Sequence, residues 1–446
     1  MRGATLSSRG ASLGALAVKD PIAEVDLVVR GASEIATPVG ATARGGSRLS
    51  EIRIVERGAI AVDGGRIAAV GPESEIERAW RGRRTIDVRG GIVVPGFVDA
   101  HTHPVFAGTR EDEFEMRTRG ATYVEIAAQG GGILSSVRGV RACSRDDLLE
   151  KVLVRLDRFL ELGTTTIEAK SGYGLCVADE LKSLEVLARA SELHPITIVP
   201  TFLGAHDYPA EFRENKRAYV DLLVDEMLPA VAERGLAEYC DVFAEKTAFD
   251  LDDSRRVLTA AAALGMRLRV HADQLTHLGG AELAAELGAD SADHLEHVGR
   301  AGIEALLQAG VIPVLCPIVP LYLRVPEEAP ARAMIDAGLA PAISTDFNPG
   351  SAYVQSMPEV LTWASLRYRM TAPEALTAST LNAACSLGRG AELGTIEVGK
   401  RADLACLDLP NHRHLVYELG RNPVVCVVKD GRVVVERPRS AAIRRA

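Results

Sequence analysis

Between residues 92 and 346 the chain alternates short apolar runs with stretches of helical periodicity, and this pattern most restricts how it can fold. The apolar runs are Ile92–His103, Thr164–Lys170, Ile196–His206, Tyr239–Lys246, Arg267–Asp273, Ser291–Glu296, Ile312–Pro317 and Ala340–Asp346. Helical spacing fills most of the intervals, as in Asp146–Leu162, Asp179–Leu193, Ser254–Leu264 and Gly279–Leu287. Eight strand–helix units in about 250 residues point to an α/β protein of the (β/α)8 TIM-barrel type. An open doubly wound sheet is the competing fold, but it leaves unexplained why His and Asp recur where the apolar runs end. Outside this region the texture changes to short strands punctuated by turn signals, Asp63-Gly64-Gly65 near one end and Asp430-Gly431 near the other. The expectation is a barrel over 91–394 with a small β-sandwich domain built from both chain termini, 21–90 and 395–440. Residues 1–20 are rich in Ala, Ser, Gly and Arg. They read as a flexible N-terminal extension, with a transit peptide as the alternative.

Composition removes some function classes. A formal charge of −9 leaves no basic surplus to neutralise phosphates, so no nucleic-acid partner is expected. No apolar stretch is long enough to span a bilayer, so no membrane partner is expected either. The seven cysteines form no Cys-x-x-Cys pair and read as reduced thiols of a cytoplasmic protein. A small-molecule substrate is the partner that remains.

Chemistry concentrates at the ends of the apolar runs. Of ten histidines, six fall there: His101, His103, His206, His271, His294 and His297. The C-terminal ends of the strands form the active face of a (β/α)8 barrel. His101 and His103 stand two residues apart, so in an extended chain their side chains share a face. A lone His-x-His pair is more often a surface or core feature than a metal site. With His271 and Asp346 at the ends of the fifth and eighth strands, the weight reverses. Three imidazoles and one carboxylate suit zinc or iron(II) and leave a position for water, whose pKa such an ion lowers towards neutrality. His297 and His277 read as packing, solvated or loop residues, and His194, His412 and His414 as exposed loop positions. Lys246 ends the fourth strand, where a resemblance to two-metal hydrolases of this fold implies, as the alternative to a single ion, a carboxylated lysine bridging two.

The segment Pro95-Gly-Phe-Val-Asp-Ala-His-Thr-His103, followed in order by His271, His294 and Asp346, resembles the amidohydrolase superfamily. The segments His101–Arg110, Glu168–Leu175, Thr201–His206, Val270–Gln274 and Ser344–Ser351 are similar to its ring-opening hydrolases of histidine degradation. That resemblance implies hydrolysis of 4-imidazolone-5-propanoate to N-formimidoyl-L-glutamate by one divalent or trivalent metal ion, zinc or iron. It assigns the metal to His101, His103, His271 and Asp346. His294 and Asp346 become the proton carriers, and His206 a substrate contact that polarises the ring carbonyl. Arg110, Tyr123 and Tyr173 hold the propionate, and Asn348, Gly350 and Ser351 contact the substrate after the eighth strand. Gln274 stands where some relatives carry Glu, and a neutral amide at that position weakens any role as a base. A homodimer is also implied.

The chemistry of the side chains agrees with these roles. A carboxylate-bearing substrate calls for the bidentate fork of an arginine, and Arg110 follows directly on the histidine pair. Arg110 has a structural competitor, an ion pair with Glu111 or Asp112, and the two tyrosines are alternatively ordinary packing aromatics. Two other functions compete: a deaminase of another cyclic amidine or nucleobase, disfavoured by Gln274, and an inactive scaffold of the same fold, disfavoured by the complete ligand set.

Overall fold

The computed structural model describes residues 22–121, 125 and 131–437. Residues 1–20 and Tyr123 lie outside the described residues.

Eight parallel strands run in sequence order around the barrel: Phe97–Asp99, Thr164–Lys170, Thr197–Ala205, Tyr239–Ala244, Arg267–Ala272, Ser291–His294, Ile312–Leu315 and Ala342–Ile343. The ring closes where Thr102 bridges Phe347 and the His103 amide donates to the Phe347 carbonyl at 2.8 Å. Every residue of the second strand is buried, as expected of a parallel strand covered on both faces. The outer helices cover the strands with one apolar stripe each. In Arg145–Glu161 the buried residues include Leu148, Val152, Leu156 and Phe159, at helical spacing. Ser144 starts that helix by accepting a hydrogen bond from the Asp147 amide. The bottom of the barrel is filled by Val98, Val199, Tyr239, Val314 and Ala342, packed against Ala383, Ala384 and Leu387.

Two further sheets lie outside the barrel, the first built from N-terminal strands alone and the second from both ends of the chain. A four-stranded sheet has the order Arg66–Pro72, Gly58–Asp63, Ala23–Arg30, Trp80–Asp87. A six-stranded sheet has the order Arg432–Glu436, Val424–Lys429, Leu404–Leu407, Ile92–Pro95, Glu34–Pro38, Ile52–Glu56. Ile92–Pro95 is a correction to the sequence reading, which places it at the start of the first barrel strand. It pairs instead with Leu404–Leu407 and Glu34–Pro38. The chain changes sheets at Gly96, where an added Cβ would lie 2.4 Å from the Thr165 hydroxyl oxygen and only glycine fits.

Candidate active site

With one exception, the sequence-predicted site residues among the described ones line a single cavity of about 1050 Å³ at the C-terminal ends of the strands. The exception is His101, fully buried beneath its floor.

The floor is built by three strand ends and a strained loop. His101 Nδ1 lies 2.6 Å from Asp293 Oδ2, and His271 Nδ1 lies 2.8 Å from Asp241 Oδ2. A carboxylate accepts, so each Nδ1 carries the proton and each Nε2 presents a bare lone pair. His101 Nε2 is 3.3 Å from His103 Nε2 and 3.5 Å from Asp346 Oδ1, which is itself 3.3 Å from His103 Nε2. His271 Nε2 and Asp346 Oδ1 are buried without a hydrogen-bond partner, and His271 Nδ1, close as it is to the Asp241 carboxylate, is not aligned for one and meets it as a charge contact. Electron-rich atoms packed this closely repel unless a cation lies among them, so the donor set fits a metal ion. Ligand atoms of His101, His103 and Asp346 lie within 4.8 Å of one another, as do those of His101, His271 and His294. The two groups share His101. Burial pushes His101 and His103 well below the usual imidazole range and His271 down to about 3, so all three remain neutral as metal ligation requires.

Beneath these imidazoles lies a fully buried charge network that the sequence reading left undescribed. Lys170 Nζ contacts Glu168 Oε1 at 2.8 Å and Asp241 Oδ2 at 2.7 Å. Arg269 donates to Asp293 Oδ2 at 3.0 Å and to the Ala100 carbonyl at 2.8 Å. Burial opposes the Asp241 charge, but His271 and Lys170 beside it hold the carboxyl well below its usual range. Asp293 therefore lies between Arg269 and His101, and Asp241 between Lys170 and His271.

The proton-handling candidates stand at strained backbone positions. Asp346 has φ 51° and His294 has φ 78°, values that L-residues adopt only when the surroundings hold them. The His294 ring centroid is 4.9 Å from that of His101 and 5.2 Å from that of His271. Its Nδ1 faces the buried Glu296 carboxylate at 3.8 Å. Burial alone would lower the His294 pKa, but Glu296 raises it.

His206 needs a change of role. Its Nδ1 lies 3.0 Å from the Gly172 carbonyl, which only accepts, so Nδ1 is the protonated nitrogen. Burial and His103 push its pKa down to about 3. The neutral ring then offers Nε2 as an acceptor, which does not polarise a carbonyl. Gly172 has φ 102°, and a Cβ there would lie 2.9 Å from His206 Nδ1. Tyr173, in the same turn, is buried and its ring lies 5.3 Å from that of His206.

The remaining candidates divide. Arg110 reaches the cavity, but its ion-pair partner is Glu113, not Glu111 or Asp112. Asn348 commits its amide to the loop: it donates to the Asp346 carbonyl and Ser351 Oγ and accepts from the Gly350 and Ser351 amides. It shapes the wall rather than offering free groups. Gln274, Gly350 and Ser351 line the cavity. Lys246 is exposed, while its neighbour Glu245 turns inward and accepts from the Leu275 and Thr276 amides, so Lys246 bridges no metals. His194, His412 and His414 are not exposed; each is partly buried against a carboxylate, Asp157, Glu34 and Glu418 respectively.

Residues 92–434 match the model of the amidohydrolase family, and residues 58–82 match an imidazolonepropionase-like composite domain of bacteria. The imidazolonepropionase of Symbiobacterium thermophilum is 49% identical over 416 residues, covering 92% of this chain and 98% of its own. That of Solibacter usitatus is 50% identical over 395 residues, covering 88% and 94%. The chain belongs to the amidohydrolase family, in its imidazolonepropionase branch. An amidohydrolase fold is also what the solved structures share with it. An adenosine deaminase from Xanthomonas campestris with bound zinc superposes with a TM-score of 0.72 at 22% identity, covering 94% of each chain. Escherichia coli guanine deaminase superposes at 0.66 with 17% identity, covering 92% of this chain and 100% of its own. No helix among the described residues is long and apolar enough to cross a membrane.

Proposed function

We propose that the protein is the hydrolase that opens 4-imidazolone-5-propanoate to N-formimidoyl-L-glutamate, in the cytoplasm, as a homodimer. One observation supports the reading: two donor groups that share His101, one with His103 and Asp346 and the other with His271 and His294, lie at the floor of a cavity whose wall holds Arg110 and Tyr173. The free state of all seven cysteines supports the cytoplasmic placement. The homodimer rests on the family resemblance alone, and sedimentation velocity tests it.

The four ligands suit zinc and iron alike. When bound, such an ion supplies a Lewis acid that makes water a nucleophile at neutral pH. Water attacks the ring carbonyl carbon, the C–N bond of the cyclic amide breaks, and the departing nitrogen takes a proton. His294 and Asp346 share the two proton transfers: one accepts from the attacking water and the other donates to the leaving nitrogen. His206 accepts a ring N–H through Nε2 and so orients the ring. Tyr173 and Arg110 fix the propionate, which makes the attack effectively intramolecular. Tyr123 joins them on the resemblance alone. Gln274, a neutral amide, orients substrate without acting as a base.

The test is loss of the ultraviolet absorbance of freshly made imidazolone propionate. Metal-loaded protein clears the substrate, and Asp346→Ala abolishes the activity. Arg110→Ala lowers turnover severely with metal content unchanged. Near-normal rates in Asp346→Ala remove the assignment, and metal lost from Arg110→Ala contradicts the role given to that residue.

A further inference from the structure

The cavity wall facing the metal ligands carries an unbalanced charge. Arg110 is the N-cap of the helix Glu111–Thr118, and Arg117 follows seven residues later, two turns along the same face. Both guanidinium groups line the cavity. Between them stands one carboxylate. Arg110 Nε and Nη2 donate to Glu113 Oε2 at 3.0 and 2.6 Å. The other oxygen of Glu113 accepts from the Gly132 amide at 3.0 Å and Ser135 Oγ at 3.3 Å. Glu113 is thus fully occupied. Arg117 is four residues from Glu113, the spacing of a helical ion pair, yet it pairs with no carboxylate among the described residues. Its Nη2 donates to the Gly350 carbonyl at 2.6 Å, and its Nε is buried without a partner. Two cations and one anion leave a net positive charge in a half-buried wall, which costs free energy unless a ligand supplies the missing anion.

Gly350 fixes the geometry of the two guanidinium groups. Arg110 Nη1 lies against its Cα so closely that a Cβ would fall 2.2 Å away, while Arg117 holds its carbonyl. The two groups flank one peptide and open onto the same cavity.

We propose that Arg117 is a second guanidinium for the carboxylate of the substrate and so a specificity-determining residue. It completes with Arg110 a two-arginine clamp that selects ring substrates bearing a carboxylate side chain. Glu113 neutralises one cation of the clamp, and the substrate neutralises the other. The inference rests on the proposed ring-opening function for the identity of the substrate, and the experiment separates the two.

Turnover is compared on 4-imidazolone-5-propanoate and its uncharged propionamide, for the metal-loaded wild type, Arg117→Met and Arg117→Lys. Arg117→Met lowers kcat/KM on the carboxylate by about tenfold or more, the size of a lost charge-assisted hydrogen bond, and leaves the propionamide rate within about threefold. Arg117→Lys, which keeps the charge without the fork, recovers part of the loss on the carboxylate alone. Equal losses on both substrates assign Arg117 a structural role and overturn the proposal, as does an unchanged rate on the carboxylate. Calorimetric binding of 3-(imidazol-4-yl)propanoate, set against the corresponding propanamide, needs no turnover. There Arg117→Met weakens the carboxylate only. If the wild type fails to open the imidazolone ring while this binding difference persists, the functional reading falls and the clamp stands. If the wild type turns over substrate and the binding difference is absent, the clamp falls alone.

Discussion

At the scale of single residues, the site depends on which nitrogen of each imidazole holds the proton. Asp293 fixes His101 and Asp241 fixes His271, each at a distance typical of a charge-assisted hydrogen bond. Asp293→Asn or Asp241→Asn leaves a partner that no longer draws the Nδ1 proton as strongly, and metal affinity is expected to fall roughly 10- to 100-fold. Competition against a chromophoric chelator measures this independently of activity, and an unchanged affinity removes the orienting role. The candidate ligands were legible in the sequence because His-x-His and the later His and Asp mark strand ends. Their orienters were not. Asp241 and Asp293 become partners of His271 and His101 only through the register of neighbouring strands, in which Asp241 pairs with Arg269 and His271 with Asp293. A single sequence carries no such register. Arg117 was missed for a related reason: at the end of a short, charged helix it looks like any solvated arginine until Gly350 is brought against it.

At the scale of elements, carboxylates make rigid walls out of loops. Glu180, on the helix Val177–Leu193, accepts from the Gly172, Gly174 and Leu175 amides and holds the turn that presents Tyr173. Asp273 does the same for the Leu278, Gly279 and Ala281 amides after the fifth strand. Burial pushes the Glu180 carboxyl up against the pull of these donors, so its charge depends on the turn being closed. Glu180→Gln replaces acceptor-only oxygens with one oxygen and an amine that meets the turn's N–H groups donor to donor. The expected result is a raised KM for the carboxylated substrate, together with a loss of about 2 kcal/mol of stability. Steady-state kinetics and denaturant titration check the two halves, and a KM unchanged in a destabilised variant detaches the turn from substrate binding. These same loops explain where strand reading overran. The eighth strand, expected over Ala340–Asp346, is Ala342–Ile343, and the sixth, expected over Ser291–Glu296, stops at His294. Burial continues past both ends, but Asp346, His294 and Asp273 take positive φ and turn the chain out of the sheet. Residues that depart from strand geometry to serve a site leave no mark in hydrophobic pattern. The helices, whose spacing is set by packing alone, were placed to within a few residues, as Arg145–Glu161 against an expected Asp146–Leu162 shows.

At the scale of the whole molecule, folding must bury a cluster of imidazoles in their neutral form, and stability therefore follows pH. Burial and His103 push the His206 pKa to about 3, against 6.5 for the free side chain. Below pH 6.5 the unfolded chain binds a proton at this position that the folded chain refuses. Stability contributed by the neutral ring is present above pH 6.5 and is lost as pH falls towards about 3. The slope is about 1.4 kcal/mol per pH unit for one proton. His271, pushed to about 3 by burial, adds a slope of the same sign. Asp99 works the other way, because burial raises its carboxyl to about 6, so part of the histidine effect is offset below that pH. A total slope is therefore a poor probe, and a difference is a good one. His206→Phe keeps an aromatic ring beside Tyr173 and removes one titrating group. Unfolding of the metal-free protein by urea between pH 5 and 7 then shows a stability slope shallower than that of the wild type by up to about 1.4 kcal/mol per unit. Equal slopes mean that His206 is protonated as readily folded as unfolded, and the neutral acceptor at its Nε2, on which the orientation of the substrate ring depends, is lost with it.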